Sequence, residues 1–164
     1  MSGDLDFVVG KKTDASRILK DHPNVLEKWS GKTWHWLSES YLAFLYEILE
    51  RPSKAKPQRT HGELLQEFKT LATKESDAID EETSAMAGMQ VHYQEAYLFQ
   101  FPDALADMIA GLDKKEIVTV ATEWAPKLSS LSGPAQEILE DLSKLCRDAR
   151  KKKLSIFVVD NCMY

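Results

Sequence analysis

The spacing of apolar and polar positions changes several times along the chain, and each change marks an element. Leu5, Phe7 and Val9 alternate with polar or small neighbours up to Gly10, which predicts a short strand. Thr13 or Asp14 then caps a short helix carrying Ile18 and Leu19, and Pro23 ends it because the residue before a proline is pushed out of the α region. Asn24 and Glu27 read as a capping box for a further turn through Leu26 and Trp29, closed by Ser30 and Gly31.

From Thr33 to about Glu50, Trp34, Leu37, Tyr41, Phe44, Leu45, Ile48 and Leu49 recur at three- and four-residue spacing. Trp36, Leu42 and Tyr46 lie off that stripe, so the predicted helix is apolar around much of its circumference and belongs at the centre of the fold. Pro52 and Pro57 flank a basic connection, Arg51 to Arg59, with no apolar period and the character of a surface loop. Thr60 and Glu63 open an amphipathic helix through Leu64, Leu65, Phe68, Leu71 and Ala72. Beyond the acidic run Glu75 to Glu82, Ile79, Met86, Met89, Tyr93, Ala96 and Tyr97 continue a helical period to Phe99, and acidic residues at its start suit the helix dipole.

Pro102 and Asp103 begin a helix through Leu105, Met108 and Ile109 that Gly111 closes. Asp113 with Glu116 begins another through Ile117, Val120, Ala121 and Trp124, stopped at Pro126, and the short connection predicts a tight αα-hairpin. A last helix follows Gly133 and Pro134, with Ile138, Leu142, Leu145, Cys146 and Ala149 on one face, acids early and bases late. The run Leu154 to Asp160 is rich in β-branched residues and reads as a strand. A lone strand needs a partner, so it is expected to pair with the strand near Phe7 at one edge of the helical body, with pairing across a homodimer as the rival. The whole predicts a mainly α fold: a single compact domain over residues 1–164, a bundle of about seven helices with a minor two-stranded sheet from the N- and C-terminal segments.

Composition narrows the function more than it identifies it. With 164 residues and 43% hydrophobic content the chain fills one core, and it holds no run approaching the roughly 20 apolar residues that span a bilayer, which leads to a cytoplasmic expectation without a membrane partner. Two cysteines, Cys146 and Cys162, are too few for a disulfide framework or a zinc knuckle. The net charge of -5 opposes non-specific attraction to phosphate backbones, and nucleic acid ranks last among partners even though Arg51 to Arg59 and Arg147 to Lys153 are basic.

Catalytic signatures are missing. The glycines do not form a phosphate-binding loop, no Ser-Gly pair belongs to a nucleophile elbow, and no Glu-x-x-His or His-Glu-x-x-His pattern occurs, so neither cofactor nor metal is indicated. What remains are two His and carboxylate couples, His35 with Glu39 and His92 with Glu95, neighboured by Trp36 and Tyr93. Placed on two central helices that face each other, they would form an aromatic-lined pocket for a small ligand or a general base. The acidic balance, the surplus aromatics and the lack of catalytic patterns favour instead a non-enzymatic protein-interaction module: an acidic helical binder of the inhibitor or immunity type, whose partner is another protein and, on charge grounds, a basic one. The pocket reading, a small-molecule-binding protein or hydrolase, is the alternative.

Overall fold

The computed structural model describes residues 4–51, 59–77 and 93–163. Strand β1, Asp4–Gly10, leads through a 3-10 turn at Lys12–Asp14 into helices α1, Ala15–Lys20, and α2, Val25–Lys28. Strand β2, Gly31–Trp34, precedes helices α3, Glu39–Glu50, and α4, His61–Leu65. Strands β3, Thr70–Asp77, and β4, Tyr93–Gln100, come next, followed by helices α5, Asp103–Ala110, α6, Lys114–Trp124, and α7, Ala135–Lys151. Strand β5, Ser155–Met163, ends the described chain.

The five strands form one antiparallel sheet in the order β2-β1-β5-β4-β3. The two terminal segments do pair, with Phe7 opposite Val158 and Leu5 opposite Asp160, but they occupy the middle of the sheet. A mainly α bundle with a minor two-stranded sheet is therefore incorrect; the fold is α plus β. The sheet is covered on both faces. Leu5, Phe7, Trp34, Phe99, Ile156 and Val158 face the larger core, built with α3 to α7 and centred on Leu42, Leu45, Ile109, Trp124 and Leu142. Val8, Ala96, Leu98, Phe157 and Val159 face a smaller core completed by Ile18, Leu19 and Val25 of α1 and α2.

Burial on both faces explains why β4 reads as helix in the sequence. A strand sandwiched between layers needs no polar alternation, and Ala96, Leu98, Phe99 and Phe101 are all buried. Their spacing fits a helix and a buried strand equally well; only pairing with β5, dozens of residues away, selects the strand. The helix expected from Thr60 to Ala72 stops at Leu65. Phe68 turns into the core against Phe99 and Phe101, at ring centroid distances of 5.9 and 6.1 Å, and β3 begins at Thr70 with Leu71 half exposed.

The helix expected from Thr33 begins only at Glu39. Trp34 closes β2, packed edge-on against Phe7 with centroids 4.6 Å apart, and Ser38 caps α3 by accepting from the Tyr41 N–H. Within α3, Leu42, Ala43, Leu45, Tyr46 and Ile48 are buried, and the helix packs on α4, α5 and α6. Leu42 and Tyr46, off the expected stripe, are thus among its innermost residues.

The three later helices fall close to their expected places. Asp113 and Glu116 form the capping box of α6, and α7 carries Glu137 early and Arg150 and Lys151 late. α5 and α6 are joined by three residues, yet each makes its main helical contact with α7 in place of a hairpin with the other. Pro52, Pro57, Ile79, Met86, Met89 and most of the acidic run lie outside the described residues. Among the described residues, no helix is long and apolar enough to cross a membrane.

Candidate functional site

The corner between β2 and α3 departs most from what local sequence favours. Trp34 is anchored in the core by Phe7, and Leu37, 1% exposed, re-enters it three residues later. Between these anchors Trp36 adopts φ +57, a left-handed conformation that a bulky side chain visits at a cost of about 1 kcal/mol or more. The conformation is held from outside: the Ser132 hydroxyl donates to the Trp36 carbonyl at 2.7 Å. The indole stays 45% exposed, and Leu131, next to Ser132, is 62% exposed. The fold thus strains its backbone to place a tryptophan in solvent beside a second exposed apolar residue.

Charged groups surround this corner. The exposed His35 pairs through Nδ1 with Asp4 Oδ1 at 2.8 Å. Glu39, first residue of α3, reaches Asp160 of β5, which is 8% exposed. Burial, then the hydrogen bond to Asp160 and its negative charge, pushes the Glu39 carboxyl from 4.5 up to about 8. The direction follows because ionising Glu39 would set a second negative charge against a neighbouring carboxyl group with little water between them. Tyr97 of β4 lies opposite Asp160 in the sheet register.

The folded state keeps the Glu39 proton over a pH range in which the unfolded chain releases it, so this contribution is complete below about 4.5 and is lost as pH rises through about 8. Glu39→Gln keeps a donor for Asp160 but has no proton to lose. It is expected to flatten the fall in stability across this window and to leave the variant about 2 kcal/mol more stable than the parent above pH 8, the figure being reduced for solvent screening of the partly exposed Glu39. Urea midpoints measured over this range check it; parallel profiles for the two proteins would show that the Glu39 carboxyl is not raised.

On the opposite face of the sheet a second polar network is structural. Asp6, 7% exposed, accepts from Thr33 Oγ1 at 2.6 Å and from Asn161 Nδ2 at 3.0 Å, and Asn161 Oδ1 lies 2.6 Å from His22 Nε2. These bonds tie β2, β1 and β5 to the turn after α1 and give buried polar groups the partners they require.

Among the described residues, Ser40 Oγ lies 3.2 Å from His61 Nε2, with the imidazole stacked 3.9 Å from Phe44. Among the described residues, His61 Nδ1 is buried with no hydrogen-bond partner, so none of them offers an acceptor to the imidazolium that a general base must become. Cys146 is equally unsuited to nucleophilic work. Burial and the charge of Asp107 push its thiol up to about 12.

The residues singled out in sequence stand on different elements from those expected. His35 lies in the turn after β2 and contacts Asp4, while Glu39 couples to Asp160, so the expected four-residue helical pairing of His35 and Glu39 is replaced by two contacts to the sheet. Trp36 is exposed in the same turn. Tyr93 and Glu95 stand on strand β4, with Glu95 opposite Cys162 of β5, and His92 lies outside the described residues. Two central helices facing each other across a His and Glu pocket are therefore not the arrangement. Reasoning on sequence missed Asp160 because it ended a strand with no helical or motif spacing to Glu39. Among the described residues no group of three or more His, Cys, Asp or Glu side chains is placed to hold a metal ion. Comparison with protein-family models, with curated proteins and with solved structures finds no match.

Proposed function

We propose that this chain is a non-enzymatic protein-interaction module whose contact surface centres on Trp36. The observation that carries the reading is the strained, outward presentation of that indole: a tryptophan at φ +57, pinned by Ser132 and left 45% exposed. Backbone strain persists where surrounding structure enforces it, and exposed tryptophans are the commonest anchors of protein interfaces. Leu131 supplies neighbouring apolar area, and Asp4 and Glu39 flank the corner with carboxyl groups. A net charge of -5 suits a basic partner, with charge acting chiefly on the encounter rate and on selection among partners.

The test is capture from cell extract by the immobilised chain in parallel with its Trp36→Ala form, followed by titration of each purified candidate against both. Trp36→Ala is expected to weaken the genuine complex by about 2 kcal/mol, near thirtyfold in Kd, with circular dichroism of the free protein unchanged. Equal affinity of parent and variant for every captured protein overturns the reading.

A further inference from the structure

The C-terminal half of α7 and the turn after it carry a charge distribution that the interaction surface at Trp36 does not use. Residues 144–153 hold six Lys and Arg against one Asp, a surplus of five positive charges in a chain whose net charge is -5, leaving -10 on the rest. Lys144, Arg147, Arg150 and Lys151, with Asp148 and Ala110, line an open groove of about 680 Å³ between the end of α5 and α7. Arg150 also borders an adjoining groove of about 340 Å³ with Lys153 and Lys12.

Arg147 is engaged within the fold, donating to the carbonyls of Ala110 and Leu112 at 3.3 and 2.9 Å, where it neutralises the C-terminal end of α5. Among the described residues, no carboxylate oxygen lies within 4 Å of the side-chain nitrogens of Lys144, Arg150, Lys151, Lys152 or Lys153. By contrast, Arg51 and Arg59 of the other basic stretch are spent on Glu123 and on Glu50 and Glu67.

The end of the helix adds an independent observation. Lys153 adopts φ +54 while Leu154 N–H closes the helix on the Ala149 carbonyl at 2.9 Å. Glycine is the residue that takes this position without strain. The chain instead places a lysine there and extends the row of cations.

We infer that this groove binds the sugar-phosphate backbone of a nucleic acid, without reading its sequence. Lys144 and Lys151 are separated by about 10 Å along the helix axis, which spans about three phosphates of one strand. The lining offers no aromatic ring for stacking on bases and no large apolar side chain for insertion into a bilayer. The acidic remainder of the molecule repels a polyanion elsewhere and so orients its approach onto this end.

The test is fluorescence anisotropy of a labelled duplex of about 20 base pairs titrated with the intact chain at several salt concentrations. With about three phosphates engaged, log affinity should fall against log salt with a slope of about -2.7, roughly 40-fold for a fourfold rise in salt. Replacing Lys144, Arg150 and Lys151 together by Gln should flatten that slope to about -1 or less and lower affinity by about 100-fold at low salt. Lys153→Gly separates binding from folding, since it should raise the unfolding midpoint by relieving strain while weakening the duplex complex severalfold. Absence of binding at low salt overturns the inference, as does a triple variant that binds like the parent. It is equally overturned if a poly-glutamate peptide or anionic vesicles displace the duplex as well as unlabelled duplex does, because the occupant is then an acidic protein segment or a membrane surface.

Discussion

Replacing Trp124 by Ala is expected to lower the stability of the fold by about 3–5 kcal/mol, a large part of the roughly 5–15 kcal/mol that holds a typical domain together. Trp124 ends α6 with no exposed surface, and its indole Nε1 donates to the Tyr41 carbonyl in the first turn of α3 at 2.8 Å. One side chain therefore fills the larger core and fastens α6 to α3. Truncation opens a cavity among Leu, Ile and Phe side chains that cannot collapse without shifting two helices, and leaves the Tyr41 carbonyl without that donor. Trp124→Phe retains most of the volume and loses only the donor, for a smaller expected cost of about 1–2 kcal/mol. Urea denaturation of the three proteins checks both values. A loss below about 1 kcal/mol for Trp124→Ala would mean that α6 is not fastened in this way.

Gly31→Ala is expected to detach β2 from the sheet. A Cβ at this position would stand 1.8 Å from the Phe7 carbonyl oxygen and 2.9 Å from Leu26 Cδ2, and the first of these is backbone in the neighbouring strand. No rotamer change relieves such an overlap, so β1 and β2 must part at the Val8 and Gly31 pair. The Thr33 bond to Asp6 and the edge contact of Trp34 with Phe7 would go with it, for a cost of about 3 kcal/mol or more. Hydrogen exchange should then show residues 31–34 losing protection while β5 and β4 keep theirs. Retained protection in β2 would show that the strands accommodate the methyl group. Gly62→Ala, where an added Cβ meets nothing within 4 Å, is the matching control.

Legibility in the sequence depended on how far apart the deciding partners were. The α5, α6 and α7 segments were readable because caps, dipole-matched charges and a single apolar face are all local; the capping box of Asp113 and Glu116 is one case. β1 and β5 were readable because short apolar runs bounded by Gly10 and by the end of α7 left no room for a helix. β4 was not, since a strand covered on both faces loses the alternation that would identify it, and β3, an edge strand exposed at Thr70, Leu71 and Thr73, carries no apolar alternation to mark it. The stripe from Trp34 to Tyr41 misled for a different reason: Trp34 and Leu37 are both buried, but one serves β2 and the other the entry to α3, and three-residue spacing between separate elements imitates one helix. His35 and Glu39 were noticed as a pair on the strength of that spacing. Their contacts are instead Asp4 and Asp160, which no spacing rule connects to them.

By itself, then, the amino-acid order determined the helices whose ends are chemically marked, the two terminal strands and the pairing between them, and the shortage of catalytic patterns. Tertiary structure decided that those strands lie at the centre of a five-stranded sheet, that Glu39 meets Asp160, and that Trp36 is held outward against its backbone preference. The division has one physical cause. Capping and side-chain periodicity act over three or four residues and are written along the chain, whereas strand pairing, carboxyl coupling and enforced strain need groups that only the folded packing brings within a few ångströms.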